Sequence, residues 1–257
     1  MPTLWIKYWI KRIYFFGFFH RCNACGSFLR KWQWHGQNTQ LHFQYDMLGS
    51  GKRRCLCPIC HSIDRERLML LYLAELNKTD VIRKARILHI APEKSVMNWF
   101  SRHSAREYIK GDFFTDGYAY DHDTMHLNLE ELPFENGSFD LVLCSHVLEH
   151  VINIEKAMTE LSRVSDRSVK ILLMVPLALN LEETIEGGAG DTEEFRTEHF
   201  GQFDHVRLFG ADFPQWLEAH GWFVECWSPS SKVSCKWGTS REVIWTASKS
   251  KINAVDG

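Results

Sequence analysis

The sequence has no long apolar run, no glycine-rich dinucleotide signature and almost no acid in residues 1–60, and each absence excludes something. In the opening LWIKYWIKRIYFFGFFHR the longest stretch free of charge, Ile13 to Phe19, has seven residues, far short of the ~20 that cross a bilayer. No G-x-G-x-x-G occurs anywhere, so a dinucleotide ligand is poorly supported. Behind MPT there is neither the basic run nor the small-residue cleavage site of a secretory signal. The expected compartment is therefore cytoplasmic, and clustered thiols point to metal rather than to disulfides. Residues 1–60 hold nine Lys or Arg against the single acid Asp46, a local charge of +8 in a chain whose net charge is −2. Such an asymmetry suits an anionic partner, either RNA or a lipid surface, although a solvated basic face would look the same.

What is present is ordinary for a folded enzyme-sized chain. With 257 residues, 45% hydrophobic and 24% charged, there is enough apolar material for one α/β domain and a smaller accessory region. Four segments follow from composition: an amphipathic aromatic and basic helix over 1–20, a cysteine region with a linking helix over 21–80, the main domain over 81–250 and a tail over 251–257. A helix carrying Trp, Tyr and Phe beside Lys7, Lys11 and Arg12 suits an anionic membrane surface, with docking on the domain itself as the alternative.

The cysteine region contains the pairs Cys22-x-x-Cys25 and Cys57-x-x-Cys60. Each tight turn offers two thiolates, and two such turns make a closed tetrahedral site with no position for water, the pattern of structural zinc. Cys55 is a substitute for Cys57, and His61 a weaker one. Apolar residues Leu68, Leu71, Tyr72 and Leu76 then recur at helical spacing.

After residue 80 short apolar strands alternate with helical patterns: strands at 85–91, 106–112, within MHLNLEELPF, at 139–144 and at 169–176. A helix, a strand and a final strand in REVIWTAS follow. That order predicts a doubly wound, mostly parallel sheet, with an antiparallel hairpin at one edge. Ligands of such sheets sit at the carboxyl ends of the strands. The first strand runs through Ala91-Pro92-Glu93 into a helix start, and the second ends in Asp112, placed to grip two ribose hydroxyls. Asn128 and Leu129 then offer an amide and an apolar face for an adenine. An adenosine ligand without a phosphate fits best.

One stretch, CSHVLEHV (144–151), raises a competing chemistry. His146-x-x-Glu149-His150 spells the motif of inverted zinc peptidases. That chemistry needs both histidines on one helix and a further acid, whereas His146 falls at a strand exit, so the match is expected to be coincidental.

The segments LHIAPE, LPFENGSFD, LCSHVLEHV and RTEHFGQFDHVRLFG resemble the class I S-adenosylmethionine-dependent methyltransferases, particularly the type 11 methyltransferase group. CPICHSIDRERLMLLYL resembles the cysteine-rich lead-in of one branch, and the likeness runs over about residues 57–227. It implies a Rossmann-like seven-stranded sheet, S-adenosylmethionine as cofactor and methyl transfer as the reaction. Ala91 and Glu93 would meet the methionine end, Asp112 the ribose, and Asn128 and Leu129 the adenine. Cys144, Ser145 and His146 would line the pocket beyond the fourth strand. The sequence departs from the family in having no glycine over 91–95, His89 where an acid is common, Asn128 where Asp is usual, and SDRSVK for the Pro-Gly-Gly turn.

Methyl transfer is an in-line displacement helped chiefly by alignment and exclusion of water. The acidic stretch 181–195 is expected to hang over the site as a lid. His199, His205 and Arg207 are the candidates for acceptor contacts, His205 as a base and Arg207 as a grip on an anion. A small-molecule, glycan or lipid-linked acceptor is the leading expectation. A zinc-containing RNA methyltransferase using Lys52, Arg53 and Arg54, or a non-catalytic binding module on the same fold, are the alternatives.

Overall fold

The computed structural model describes residues 2–115, 120–188, 190–239 and 241–249, leaving aside the side chains of 2–4 and 167–169; the 251–257 tail lies outside the described residues. Helix α1 (Pro2–Phe15) and helix α2 (Asp64–Asn77) precede the main layer. That layer comprises β1 (Arg86–Ile90), α3 (Lys94–Phe100), β2 (Glu107–Asp112), β3 (Met125–His126), β4 (Phe139–Ser145) and α4 (Ile154–Val164). It continues with β5 (Ser165–Met174), α5 (Glu193–Phe200), α6 (Phe213–Ala219), β6 (Phe223–Trp227), α7 (Ser231–Trp237) and β7 (Ile244–Ser248).

The seven strands form one sheet in the order β6-β7-β5-β4-β1-β2-β3. β1 to β5 pair in parallel, and β7 lies antiparallel to both β5 and β6. The expected terminal hairpin is present, with its second strand inserted between the first and β5. From β1 the chain moves outward to β3, then returns to the other side as β4. This reversal creates the crevice where ligands of such sheets bind.

Alternation along the strands explains why both faces are covered. Leu88, Ile90, Val142, Ile171 and Leu173 pack with Ala157, Met158 and Leu161 of α4 and Phe213 and Leu217 of α6. The intervening Ile87, Leu141, Leu143, Leu172 and Met174 pack with Leu68 and Leu73 of α2 and Val96, Trp99 and Phe100 of α3. Burying each such side chain contributes about 1.5–3 kcal/mol. The linking helix is thus a full layer of the domain and not merely a connector.

Local chemistry sets the boundaries. α4 begins where the Asn153 side chain accepts a hydrogen bond from the Lys156 amide, a standard N-cap. β3 is only two residues long, because the Asn128 side-chain carbonyl accepts from the Glu130 amide at 2.9 Å and turns the chain. Gly111 lets β3 approach β2: a Cβ there would stand 1.9 Å from Leu127 Cδ1.

Arg67 joins the cysteine region to the rest. Fully buried, it donates to the carbonyls of Ser62 (2.6 Å), Cys55 (2.6 Å), Trp237 (2.8 Å) and Gly238 (2.9 Å). Its guanidinium also lies 3.9 Å from the Trp32 ring centroid. Met47–Leu48 pairs with Leu177–Ala178 just beyond β5, which brings the 35–53 segment over the strand ends. α1 behaves differently: Trp5, Ile6, Trp9, Ile10 and Ile13 are exposed along it, so it does not dock on the domain through these residues.

Candidate active site and cysteine cluster

A cleft of about 1280 Å³ opens at the carboxyl ends of β1, β2 and β4. Ala91, Glu93, Asp112, Asn128, Leu129, Ser145, His146 and His205 all line it, so strand ends far apart in sequence converge as anticipated. Ala91 takes φ 49°, a left-handed conformation uncommon for a residue with a side chain. Its amide donates to the Gly111 carbonyl at 2.8 Å, which holds the turn without the family's glycines.

Below the turn, the departure at His89 has a definite use. Its ring is fully buried, with Nε2 2.9 Å from Glu93 Oε2 and Nδ1 2.8 Å from the Tyr108 hydroxyl. Burial opposes the Glu93 charge, but the His89 hydrogen bond outweighs it and holds the carboxyl below its usual range. At Asp112, burial raises the pKa, and the Phe114 and Phe113 amides partly offset this. Asn128 is exposed and Leu129 buried, a polar and an apolar edge at one corner.

The opposite wall comes from elsewhere in the chain. His35, Gly36, Thr39, His42, Gly49 and Arg53 face the strand ends, and Arg65 joins them from the first turn of α2. Sequence reasoning gave none of these a place in the cleft; those of 35–53 fall in a stretch with no periodic pattern, and Arg65 sits in a helix whose spacing marks only its apolar face.

The H-x-x-E-H word is broken by the fold. His146 sits at φ 53° just after β4, its amide donating to the Met174 carbonyl at 2.7 Å. Residues 146–150 form no helix, so the two histidines do not stack one turn apart. Glu149 is 1% exposed, with Oε1 3.4 Å from His146 Nδ1. Burial would raise its pKa; hydrogen bonding to His146 and the neighbouring His150 and His205 instead hold it at about 2. At His146, burial and Arg65 oppose protonation, yet Glu149 and Glu242 win and raise the pKa.

His150 lines the cleft beside His205, their ring centroids 4.7 Å apart at 83°. His150 Nδ1 lies 3.2 Å from Asp204 Oδ2, and His205 Nδ1 lies 2.9 Å from the Phe200 carbonyl. Burial lowers the His205 pKa, which keeps the ring neutral. Burial acts the same way on His150, but the Asp204 hydrogen bond prevails and raises it.

Three candidates lie elsewhere than expected. Arg207 is 2% exposed and outside the cleft wall. Its guanidinium donates to the carbonyls of Leu148 (2.6 Å), Val151 (2.5 Å) and Ile152 (3.2 Å), and to Glu186 (2.9 Å). It fixes the loop after β4, with all three guanidinium nitrogens engaged and none facing the cleft. Cys144 points into the core cluster beneath the cleft floor. His199 is exposed and stacks on Phe195, centroids 3.9 Å apart.

The acidic stretch 181–195 also differs from the expected lid. Ile185–Glu186 pairs antiparallel with Arg207–Leu208, and Thr192 caps α5 by accepting from the Phe195 amide. Its described residues are outside the cleft wall; Gly201, Gln202, Asp204 and His205 face the cleft instead.

The four expected cysteines meet. Cys22 Sγ lies 3.7 Å from Cys60 Sγ, and Cys25 Sγ 3.8 Å from Cys57 Sγ; all four sulfurs lie within 4.8 Å of one another. Tetrahedral thiolates at about 2.3 Å from a zinc ion stand about 3.8 Å apart, so this spacing fits that ion. The two turns are built alike. Gly26 and His61 donate to the Cys22 and Cys57 carbonyls at 2.7 and 3.0 Å, and the Cys22 and Cys57 amides donate to Ser27 and Ser62 at 2.9 and 2.8 Å. Gly26 and His61 are both left-handed, at φ 75° and 62°. Cys55 is buried away from the group.

Residues 72–173 match the family model described as a methyltransferase domain. A protein of uncharacterised function from Methanocaldococcus jannaschii is 46% identical over 48 residues, 19% of this chain and 21% of that protein. The chain thus matches about a fifth of that curated relative's length. An S-adenosylmethionine dependent methyltransferase from Mesorhizobium loti is 11% identical, with a TM-score of 0.46 over 65% of this chain and 91% of that one. The 1,6-didemethyltoxoflavin-N1-methyltransferase of Burkholderia thailandensis, solved with 1,6-didemethyltoxoflavin and S-adenosylhomocysteine, is 12% identical, with a TM-score of 0.45 over 72% of this chain and 80% of that one.

Proposed function

We propose that the chain is an S-adenosylmethionine-dependent methyltransferase, built on a mostly parallel, Rossmann-like sheet, that methylates a small-molecule, glycan or lipid-linked acceptor in the strand-end cleft. The observation that carries this reading is the convergence of Ala91, Glu93, Asp112, Asn128, Leu129, Ser145 and His146 on that cleft. In it, Asp112 accepts hydrogen bonds from the ribose, Leu129 and Asn128 flank the adenine, and the Ala91–Glu93 turn meets the methionine end.

The bound sulfonium supplies the methyl group. The protein aligns the acceptor's lone pair behind that carbon and excludes water. Where the acceptor carries a proton, His205 is positioned to take it. Its Nδ1–H donates to the Phe200 carbonyl, leaving Nε2 with a lone pair, and burial keeps the ring neutral. Arg207 has no part in acceptor binding on this reading; it holds the β4 loop.

The four-cysteine cluster we assign to a structural zinc ion, on the sulfur spacing and the paired turns. For α1, the exposed aromatic face beside Lys7, Lys11 and Arg12 favours a lipid surface over RNA. Among Lys52, Arg53 and Arg54, Arg53 is already engaged by Asp64 and Glu242, which weakens the phosphate-holding alternative.

Calorimetric titration of zinc-replete protein with S-adenosylhomocysteine tests the central claim. Wild type is expected to bind, and Asp112→Ala to lose about 10- to 100-fold in affinity, the worth of hydrogen bonds to a charged group. Absence of binding by folded wild type would leave the non-catalytic module as the better account.

A further inference from the structure

We propose that Glu149, His150 and His205 form a second metal site, which binds one divalent first-row transition-metal cation in the cleft wall. One donor atom from each lies within 4.8 Å of the others. Two imidazoles and one carboxylate with open positions are the donor set of zinc, iron and manganese centres. The loop after β4 supplies two donors, and the third comes from the turn beyond α5, where the His205 amide donates to the Gln202 carbonyl at 3.2 Å. The Val206 amide donates to the Glu149 carbonyl at 2.8 Å and fixes one against the other.

Two independent features point to a cation in place of a self-contained network. Glu149 Oε2 is buried and has no hydrogen-bond partner, although its residue is 1% exposed. A lone carboxylate oxygen in that position carries a desolvation cost of about 1–3 kcal/mol or more unless something pairs with it. The histidines are also oriented as ligands usually are. Each engages Nδ1 outside the cluster, His150 with the Asp204 carboxylate (3.2 Å) and His205 with the Phe200 carbonyl (2.9 Å). Such outer contacts fix the tautomer that leaves Nε2 free to bind metal. Gln202 Nε2 donates to the second Asp204 oxygen at 2.7 Å and anchors that support. Ligands on one ion at 2.0–2.1 Å stand about 3–4 Å apart, and side-chain rotation closes the remaining gap.

The ion's role rests on the methyltransferase reading: it would take an acceptor through an oxygen, a hydroxyl or phenol. Coordination lowers the pKa of that O–H. The proton leaves to water, the oxygen lone pair forms the new O–CH₃ bond, and the C–S bond breaks to leave S-adenosylhomocysteine. His205 then serves as a ligand, and the ion replaces it as the means of activating the acceptor.

Electron paramagnetic titration with Mn²⁺ on zinc-loaded protein, run beside calorimetry with S-adenosylhomocysteine, separates the two claims. Manganese favours nitrogen and oxygen donors and leaves zinc on thiolates. Wild type and Asp112→Ala are expected to bind one Mn²⁺ per chain. The near-isosteric Glu149→Gln and His205→Asn are expected to lose at least tenfold in Mn²⁺ affinity while still binding S-adenosylhomocysteine, which shows that they are folded. Mn²⁺ binding that is absent from wild type, or unchanged in both variants, overturns the site. Cofactor binding without Mn²⁺ would sink the cation alone; Mn²⁺ without cofactor would sink the methyltransferase reading alone.

Discussion

Arg53 and Glu242 meet at 2.9 Å across 189 residues of sequence. The same guanidinium holds Asp64, with Nη2 2.8 Å from Oδ1, and both carboxylates are almost fully buried, at 3% and 2% side-chain exposure. One basic residue of the cysteine region thereby ties the start of α2 to the segment before β7. Replacing Arg53 by Ala leaves the Asp64 charge without its cation and Glu242 with only the more distant His146 at 3.9 Å, and the expected loss is about 3–5 kcal/mol. Urea unfolding reads this directly; a midpoint within error of wild type would show that the bridge holds nothing together.

Arg207 supports the loop that carries Glu149 and His150. Removing the guanidinium strands several buried carbonyls, so Arg207→Ala should cost about 3 kcal/mol, and Arg207→Lys should recover little because an ammonium cannot reproduce the planar fork. Thermal melts of the two variants are the check. Full stability in the Lys variant would mean that charge alone matters there.

The cysteine cluster makes a stoichiometric prediction. Purified protein should contain one zinc ion per chain by elemental analysis, and Cys22→Ser or Cys57→Ser should lose it. Cys55→Ser should retain the metal, since its sulfur lies outside the group. Metal loss from the Cys55 variant would move the ligand set.

Asp140 makes the acid dependence testable. Its two oxygens accept from the Arg86 amide (2.8 Å), Nε (3.0 Å) and Nη2 (2.8 Å), and it links β1 to β4. The Arg86 hydrogen bond, opposed by partial burial, lowers its pKa. A lowered carboxyl contributes stability above its unfolded pKa, near the ordinary 3.8, and loses it as pH falls through the folded value. Because the pair is partly exposed, its worth is about 1 kcal/mol. Asp140→Asn should therefore be less stable than wild type at pH 6, with the gap narrowing below pH 4. A gap that is constant with pH would assign the effect to something other than charge.

α1 predicts surface behaviour. Full-length protein should sediment with vesicles containing anionic lipid, and less so as salt rises. Substituting Trp5 and Trp9 by Ala should reduce that binding severalfold. Equal sedimentation with neutral and anionic vesicles would remove the basic residues from the interaction.

Much of this molecule could be read from the chain alone where the signal is periodic or local. ILHI, FDLVLC and KILLM are apolar runs bounded by polar turns, and each became a central strand because a buried parallel sheet needs apolar residues on both faces. The two C-x-x-C pairs carried their own geometry, since a four-residue turn fixes where its thiols point. Asp112 and Leu129 were legible because strand order alone dictates which ends face the crevice.

Other features had no such signal. Arg207 in EHFGQFDHVR reads as a grip on an acceptor's anion, and only the fold surrounds it with the carbonyls of Leu148, Val151 and Ile152. The acids of 181–195 suggest a loose lid, yet antiparallel pairing with residues 207–208 fixes part of that stretch.

The residues around His146 show the division most plainly. Sequence by itself determined that histidine and glutamate would leave β4 at the mouth of the crevice, because hydrophobic alternation fixes where a strand stops. It could not determine which of them would meet. A left-handed turn at His146 separates it from His150, and His205, from beyond α5, completes a group that no spacing in the chain announces. Such proximity is set by long-range packing of the loop after β4 against residues 200–207, which only the tertiary structure decides.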